Sequence, residues 1–440
     1  MNKLKKFILL LGDLVGLWLA LFLVITIRYP RSSWEVNWSQ HWPNFLVIFL
    51  IWILLIYIND LYNLNIKTIS RKFFNLILNT AFVASTLSII YFYLNPATSI
   101  SPKTNLLLFI VIFLGIFFLW RWFYQIAIHS FIRRDNLAII GFNTKSEKLV
   151  AELQNNPGAG YLAALIFKNS DEVKSLPEQI RSKHISTIVI CDDFSQGDIV
   201  REALFACLPL NVTFFNYPEF YEMLTGKVPV EAIGPDWFLK NLQTRSKNYF
   251  NLLKQLLDFI LALIVFIVSL PLWPLIAILI KLSSRGPVFF TQERLGKDEQ
   301  VFNIIKFRTM RVENNNQEPT EEADNRITGL GLFLRKTRLD EIPQVLNILR
   351  GEMSFIGPRP ERPEIVAELE KEIPFYKTRL LIKPGITGWD QVSGSYHSAS
   401  VSDSMEKLQH DLFYLSNRSL YLDITIALKT IATVVSREGR

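Results

Sequence analysis

Apolar residues arrive in long blocks at the start of this chain and in short alternating runs further on. Four blocks come first: roughly Phe7–Ile27, Phe45–Ile58, Phe73–Leu94 and Leu106–Trp120. The first and third approach the roughly 20 residues that a helical span needs. The second and fourth are shorter. Trp42, Tyr57, Trp122 and Tyr124 extend them with the aromatic flanks common at membrane interfaces. The pattern predicts four transmembrane helices. The first block is not a secretory signal, because it lacks a small-residue cleavage site and Arg28, Tyr29 and Pro30 follow it. Asp13 lies inside it near its start, where solvation at the interface is expected.

Hydropathy drops at Asp135, and strand-like and helix-like runs then alternate. Leu137–Ile140, Leu162–Phe167, Ile185–Ile190 and Leu210–Phe215 read as strands. Lys145–Gln154, Glu172–Lys183 and Asp198–Cys207 read as helices. Such alternation predicts a Rossmann-like parallel sheet with crossovers. The first strand runs into Gly141-Phe142-Asn143-Thr144-Lys145-Ser146. A dinucleotide fingerprint needs glycine at three positions, and only Gly141 is there. A scaffold role, or a subunit contact forming a homodimer, is the expectation for this block.

A second long apolar run covers Tyr249–Leu282, with a core at Phe259–Ile280. Lys247 and Lys254 flank it before, and Lys281 and Arg285 after, so neither side looks external by charge. Pro271 and Pro274 interrupt it. Each lacks an N–H and clashes with a carbonyl four residues back, so the helix should break there. Ser269 is placed to satisfy a freed backbone group. A re-entrant helix near residues 250–282 fits, and it keeps residues 283–440 in the cytoplasm. The alternative, a fifth span with a proline kink, would put them outside. The predicted class is a membrane protein, α plus α/β. It has a four-helix transmembrane domain at 1–134, a Rossmann-like α/β domain at 135–242, and a mainly helical monotopic domain at 243–440.

Charge refines this picture. Residues 1–134 hold 12 Lys and Arg against 3 Asp and Glu; residues 135–242 are acidic; residues 243–440 are close to balanced. Lys3, Lys5 and Lys6 precede the first block, Lys67, Arg71 and Lys72 separate the second from the third, and Arg133 and Arg134 follow the fourth. The other two loops carry only Arg28 and Arg31, then Lys103, so both ends of the four-span block are expected in the cytoplasm. The basic excess is loop charge facing anionic lipid, not a nucleic-acid footprint. Cys191 and Cys207 have no zinc spacing and form no disulfide framework. His41, His129, His184, His397 and His410 form no cluster for a metal.

The last block carries the chemistry. Its signatures are Gly-Pro-Val-Phe-Phe-Thr-Gln-Glu-Arg-Leu-Gly from Gly286, Lys306-Phe307-Arg308-Thr309-Met310, Arg335-Lys336-Thr337-Arg338-Leu339-Asp340-Glu341-Ile342-Pro343-Gln344, Gly357-Pro358-Arg359-Pro360 and Lys383-Pro384-Gly385-Ile386-Thr387-Gly388. Pro343 is a favoured first helical residue. It places Asp340 and Glu341 at the approach to a helix N-terminus, where the dipole, with Arg335 and Arg338, favours ionised carboxylates. Ionised carboxylates serve as nucleophiles or metal ligands. A diphosphate substrate needs cations at each phosphate, and Lys306, Arg308, Arg335, Arg338 and Arg359 are the candidates. Prolines on both sides stiffen the backbone of Arg359. The polar stretch Glu313–Asp324 reads as a surface loop.

From about Lys254 to the end, these motifs in this order resemble the bacterial sugar transferases, which move a sugar phosphate from a nucleotide sugar to a polyprenyl phosphate. The whole chain resembles the large form of that family. The resemblance implies that Asp340 attacks the phosphate bearing the sugar, that UMP leaves, and that polyprenyl (undecaprenyl) phosphate then takes the phosphosugar from the enzyme. It implies that Glu341, with Asp340, binds Mg2+, that Arg335 binds phosphate, and that Pro358, Arg359 and Pro360 bind the nucleotide. UDP-glucose or UDP-galactose is the implied donor, and the setting is the bacterial inner membrane at the first membrane step of exopolysaccharide, capsule or O-antigen synthesis. Acceptor binding would draw on Lys281 and Arg285 at the bilayer. The familiar Ser-Pro break of the family differs here, because Leu270 separates Ser269 from Pro271. Two rival readings remain: an NAD-dependent nucleotide-sugar epimerase or dehydrogenase using the middle domain, and a non-catalytic polysaccharide-assembly protein. The missing glycines argue against the first.

Overall fold

The computed structural model describes residues 2–59, 61–62, 71–95, 102–131, 135–191, 198–242, 248–311, 326–393 and 400–436. Lys67, Arg133, Arg134, Lys247, His397 and the Glu313–Asp324 stretch lie outside them, as do the side chains of Lys3, Lys5, Lys72, Lys103 and His129. The chain divides into two compact units, Met1–Phe220 and Tyr221–Arg440.

The first unit opens with four helices: α1 (Asn2–Arg28), α2 (Trp34–Ile58), α3 (Arg71–Leu94) and α4 (Pro102–Phe131). Each is long and apolar enough to cross a membrane. All but α3 run well past the apolar blocks, because flanking polar residues continue the helical hydrogen bonding at little cost. Phe45, Trp52, Phe109 and Phe113 fill the space between them. Asp13 differs from its expected solvation. It is 1% exposed and accepts from Arg121 Nη2 at 2.7 Å, an ion pair joining α1 to α4. A buried charge is tolerated when a partner neutralises it, and that partner stands 108 residues away.

A four-stranded sheet follows in this unit. Its strands are β1 (Asp135–Ile140), β2 (Tyr161–Phe167), β3 (Ile185–Ile190) and β4 (Thr213–Asn216). All pairs are parallel, in the order β2-β1-β3-β4. The connecting helices are α5 (Thr144–Asn155), α6 (Ser170–Val173) with α7 (Leu176–Lys183), and α8 (Asp198–Cys207). Two expectations shift. The helix predicted over Glu172–Lys183 is two pieces, broken ahead of Pro177. The last strand begins at Thr213, because Leu208–Leu210 forms a 3-10 turn and Asn211 is left-handed. Asn143 caps α5 from both sides: its Oδ1 accepts from the N–H groups of Lys145 and Ser146, and Ser146 Oγ accepts from Asn143 N. Those N–H groups, which a pyrophosphate would need, are satisfied within the chain. Cys191 and Cys207 are buried thiols.

α9 (Tyr217–Thr225) carries the boundary between the units, and α10 (Pro235–Asn241) follows. Val228 and Val230, with Trp237 and Phe238, pack in one core with Leu295, Val366, Tyr376 and Leu412. Residues up to 242 therefore build the C-terminal unit rather than the sheet domain to which the sequence reading gave them.

The C-terminal unit holds α11 (Asn248–Ser269), α12 (Leu272–Ser283), β5 (Phe289–Leu295), β6 (Val301–Phe307), α13 (Gly329–Lys336), α14 (Val345–Leu349), β7 (Ser354–Ile356), α15 (Pro363–Glu372), β8 (Gly385–Thr387), α16 (Trp389–Ser393), α17 (Val401–Asn417) and α18 (Leu420–Ser436). β5 and β6 form an antiparallel pair; β7 and β8 form a short parallel one. The apolar run breaks at Leu270 and Pro271. Pro274 sits in the first turn of α12, where a missing N–H costs nothing. Ser269 Oγ donates to the Phe266 carbonyl at 3.2 Å and accepts from Trp273 Nε1 at 3.1 Å, bridging the break despite the intervening Leu270.

Candidate active site

Lys306 is carried on β6, and Asn347 fixes that strand against α14. Asn347 is fully buried; its Oδ1 accepts from Ile305 N at 3.2 Å, and its Nδ2 donates to the Asn303 carbonyl at 2.8 Å and to Glu352 at 2.7 Å. A buried amide that uses both ends this way locks the two elements in register.

Asp340 and Glu341 sit elsewhere than expected. They lie inside a 3-10 turn, Leu339–Gln344, entered through a left-handed Arg338. α14 starts only at Val345 and has five residues, so a helix dipole is not what sets their charge. Both side chains are buried. Glu341 collects cations from three segments: Lys306 Nζ at 2.8 Å, Arg359 Nη2 at 3.6 Å and Arg338 Nη1 at 3.9 Å. Burial pushes this carboxyl up, but Lys306, Arg359 and Arg338 outweigh it and hold it at about 2. Asp340 goes the other way. Burial, and then the negative charge of Glu341, push it up to about 6 against Lys306, Arg335 and Arg338. The expected bias toward ionisation holds for Glu341 and is reversed for Asp340. Burial also lowers the Lys306 ammonium, opposed by Glu341.

Arg335, on the last turn of α13, is aimed by Thr309, whose Oγ1 accepts from its Nε at 2.9 Å. Gly331 lets α13 approach closely, since a Cβ there would overlap the Thr309 carbonyl. Arg308 does not join the carboxylates in the contacts it makes. Its Nη2 donates to the Ser284 carbonyl at 2.8 Å and to Ser284 Oγ at 3.1 Å, tying the end of α12 to β6.

Pro358, Arg359 and Pro360 form the loop after β7. Gly357 N donates to the Thr387 carbonyl and Gly385 N to the Pro358 carbonyl, both at 2.9 Å. A Cβ on Gly385 would overlap the backbone of Gly357. The two motifs are thus one structure, with backbones in direct contact. Below, Asp258 of α11 accepts from Ser354 Oγ at 2.7 Å, and Lys254 pairs with Asp423 at 2.7 Å. Asn347, Thr309 and Asp258 tie these elements together and were not singled out from sequence. Of the three only Thr309 stood inside a recognised motif, the signal that could have found it.

A divalent hard cation fits this donor set. Asp340 Oδ1 is buried without a hydrogen-bond partner, and the Glu341 carboxylate is adjacent in the turn. Among the described residues no group of three or more His, Cys, Asp or Glu gathers for a metal. Magnesium characteristically uses one or two carboxylates and takes its other ligands from water and substrate phosphates.

A family model described as bacterial sugar transferase matches residues 249–437. The chain is 37% identical over 250 residues to a UDP-N-acetylgalactosamine-undecaprenyl-phosphate N-acetylgalactosaminephosphotransferase of Aeromonas hydrophila, covering 56% of this chain and 58% of that one. It is 32% identical over 327 residues to a UDP-glucose:undecaprenyl-phosphate glucose-1-phosphate transferase of Xanthomonas campestris pv. campestris, covering 69% and 67%. It is 28% identical over 316 residues to the protein of the same activity from Escherichia coli (strain K12), covering 69% and 68%. The chain thus spans between 58% and 68% of the length of these relatives. Ordered motifs, a carboxylate pair wrapped in cations and this likeness agree: the chain belongs to the bacterial sugar transferase family.

Proposed function

We propose that this chain transfers a sugar 1-phosphate from a UDP-sugar to polyprenyl phosphate, with Asp340 as the nucleophile. The observation that carries the reading is the contrast between neighbours: Glu341 faces three cations while Asp340 keeps a buried, unpartnered oxygen. That oxygen attacks the phosphorus bearing the sugar. A bond forms from Asp340 to phosphorus, the phosphoanhydride bond breaks, and UMP leaves with the electron pair. An oxygen of polyprenyl phosphate then attacks the same phosphorus and releases the Asp340 carboxylate. Lys306, Arg338 and Arg359 hold the diphosphate still, and Arg335, aimed by Thr309, meets the charge that develops. Magnesium, when bound by Asp340 and Glu341, supplies charge neutralisation on the diphosphate.

The same reading takes α1–α4 as four spans of the bacterial inner membrane and α11–α12 as a re-entrant helix. α11 as a whole is long and apolar enough to cross a membrane, but the length beyond its anchored residue supports re-entry. Asp258 is fixed to Ser354, leaving Phe259–Ser269 beyond it, and α12 has 12 residues. Limbs of 11 or 12 residues reach about 17 Å, roughly half of the ~30 Å hydrocarbon thickness. Both limbs return to one polar unit, through Ser354 at one end and Arg308–Ser284 at the other. That unit is then cytoplasmic, where UDP-sugars are.

The relatives' names differ in sugar, so the test is a panel. Membranes carrying the chain are given UDP-glucose, UDP-galactose or UDP-N-acetylgalactosamine with undecaprenyl phosphate, and UMP release is measured. One sugar is expected to give turnover that Asp340→Asn lowers by at least about 10³-fold. Full activity of that variant would end the proposal.

A further inference from the structure

We infer that Arg379, held by Asp411, is the positioning residue that fixes the Pro358-Arg359-Pro360 loop and so sets where the Arg359 guanidinium stands. The inference rests on the proposal above that Arg359 meets the donor diphosphate.

Arg379 lies in a 3-10 turn, Tyr376–Leu381, and Asp411 in the middle of α17. Both side chains are 3% exposed, and Arg379 Nη2 is 2.8 Å from Asp411 Oδ2. The same Nη2 donates to the carbonyl of Arg359 at 3.0 Å, while Nη1 donates to Tyr376 Oη at 2.7 Å. The next carbonyl, that of Pro360, accepts from Arg294 Nη1 at 3.0 Å. The preceding one, that of Pro358, accepts from Gly385 N. Three successive carbonyls of the loop are therefore held from three directions. Glu361, which ends the loop, lies 3.9 Å from Arg379 and 3.8 Å from Arg294.

Proline fixes φ at Pro358 and Pro360. What freedom remains is rotation of the peptide planes, and the carbonyl acceptors remove it. The Arg359 side chain then springs from a fixed base, with Nη2 at 3.6 Å from Glu341. Burying an ion pair is a poor route to stability, because desolvation consumes most of the attraction. Here the planar fork of Arg379 does what no apolar pair would: it hydrogen-bonds Tyr376 and a loop carbonyl while Asp411 balances its charge. A lysine can keep the charge against Asp411 but cannot hold all three.

The test is a double-mutant cycle on the purified full chain in lipid nanodiscs, with undecaprenyl phosphate and the UDP-sugar that it turns over best. The variants are Arg379→Lys, Arg359→Ala and the pair, each checked by thermal melting. Arg379→Lys is expected to raise the KM for the UDP-sugar about tenfold, with kcat changed less than twofold. The double variant is expected to be no worse than Arg359→Ala alone. The inference is overturned if Arg379→Lys lowers kcat at unchanged KM, by the same factor in both backgrounds; that is loss of folded enzyme, not of positioning. If Arg359→Ala alone leaves kcat/KM unchanged, the reading of Arg359 as a substrate contact fails first and takes the inference with it.

Discussion

Three cations meet at the carboxylate of Glu341, and their ranking is geometric. Lys306 is nearest at 2.8 Å and better buried than Arg338 at 3.9 Å. An exposed charge is screened and contributes less. Lys306→Met is therefore expected to lower kcat/KM about 10²-fold, and Arg338→Met by clearly less, in a UMP-release assay; equal effects would deny the ranking. The cations were legible in the sequence because each stands inside a short basic motif flanked by turn residues. The raised Asp340 was not, since the burial that raises it comes from a 3-10 turn that Pro343 disguised as a helix start. Arg379 and Asp411 were illegible for a plainer reason: a single Arg and a single Asp, 32 residues apart, carry no motif that would pair them.

At the scale of elements, two proline-containing and glycine-containing loops decide the architecture. Gly385→Ala would drive a methyl into the backbone of Gly357. It is expected to destabilise the C-terminal unit by about 1–3 kcal/mol, read as a lower melting temperature together with reduced turnover. The break at Pro271 was legible, because proline cannot continue a helix at that position. The anchoring of α11 was not, because Asp258 has no sequence signal that it is pinned to Ser354. If α11–α12 re-enters, cysteines placed at Tyr249 and at Arg285 in a chain lacking Cys191 and Cys207 should both react from the cytoplasmic face with an impermeant maleimide. Labelling from opposite faces would make the segment a span. The parallel sheet was legible from its alternation; the true start of its last strand was hidden by an apolar 3-10 turn.

For the whole molecule, the sequence reading drew one boundary late, since Val228 to Phe238 look like an extension of the sheet domain yet fill the C-terminal core. The buried Asp13–Arg121 pair shows the same blindness to partners distant along the chain. Among the described residues no third acidic side chain joins Asp340 and Glu341, so a divalent ion bound there would complete its shell with water and substrate phosphate. Chelation of divalent ions should stop UMP release, and added magnesium should restore it, while the folded protein melts as before. The proposed covalent step admits the most direct measurement. Enzyme mixed with UDP-sugar in the absence of polyprenyl phosphate, quenched and digested, should yield a peptide heavier by one sugar phosphate at Asp340, and the mass should vanish when the acceptor is added. Lipid-linked product made at the full rate by an enzyme that never carries that mass would contradict the account.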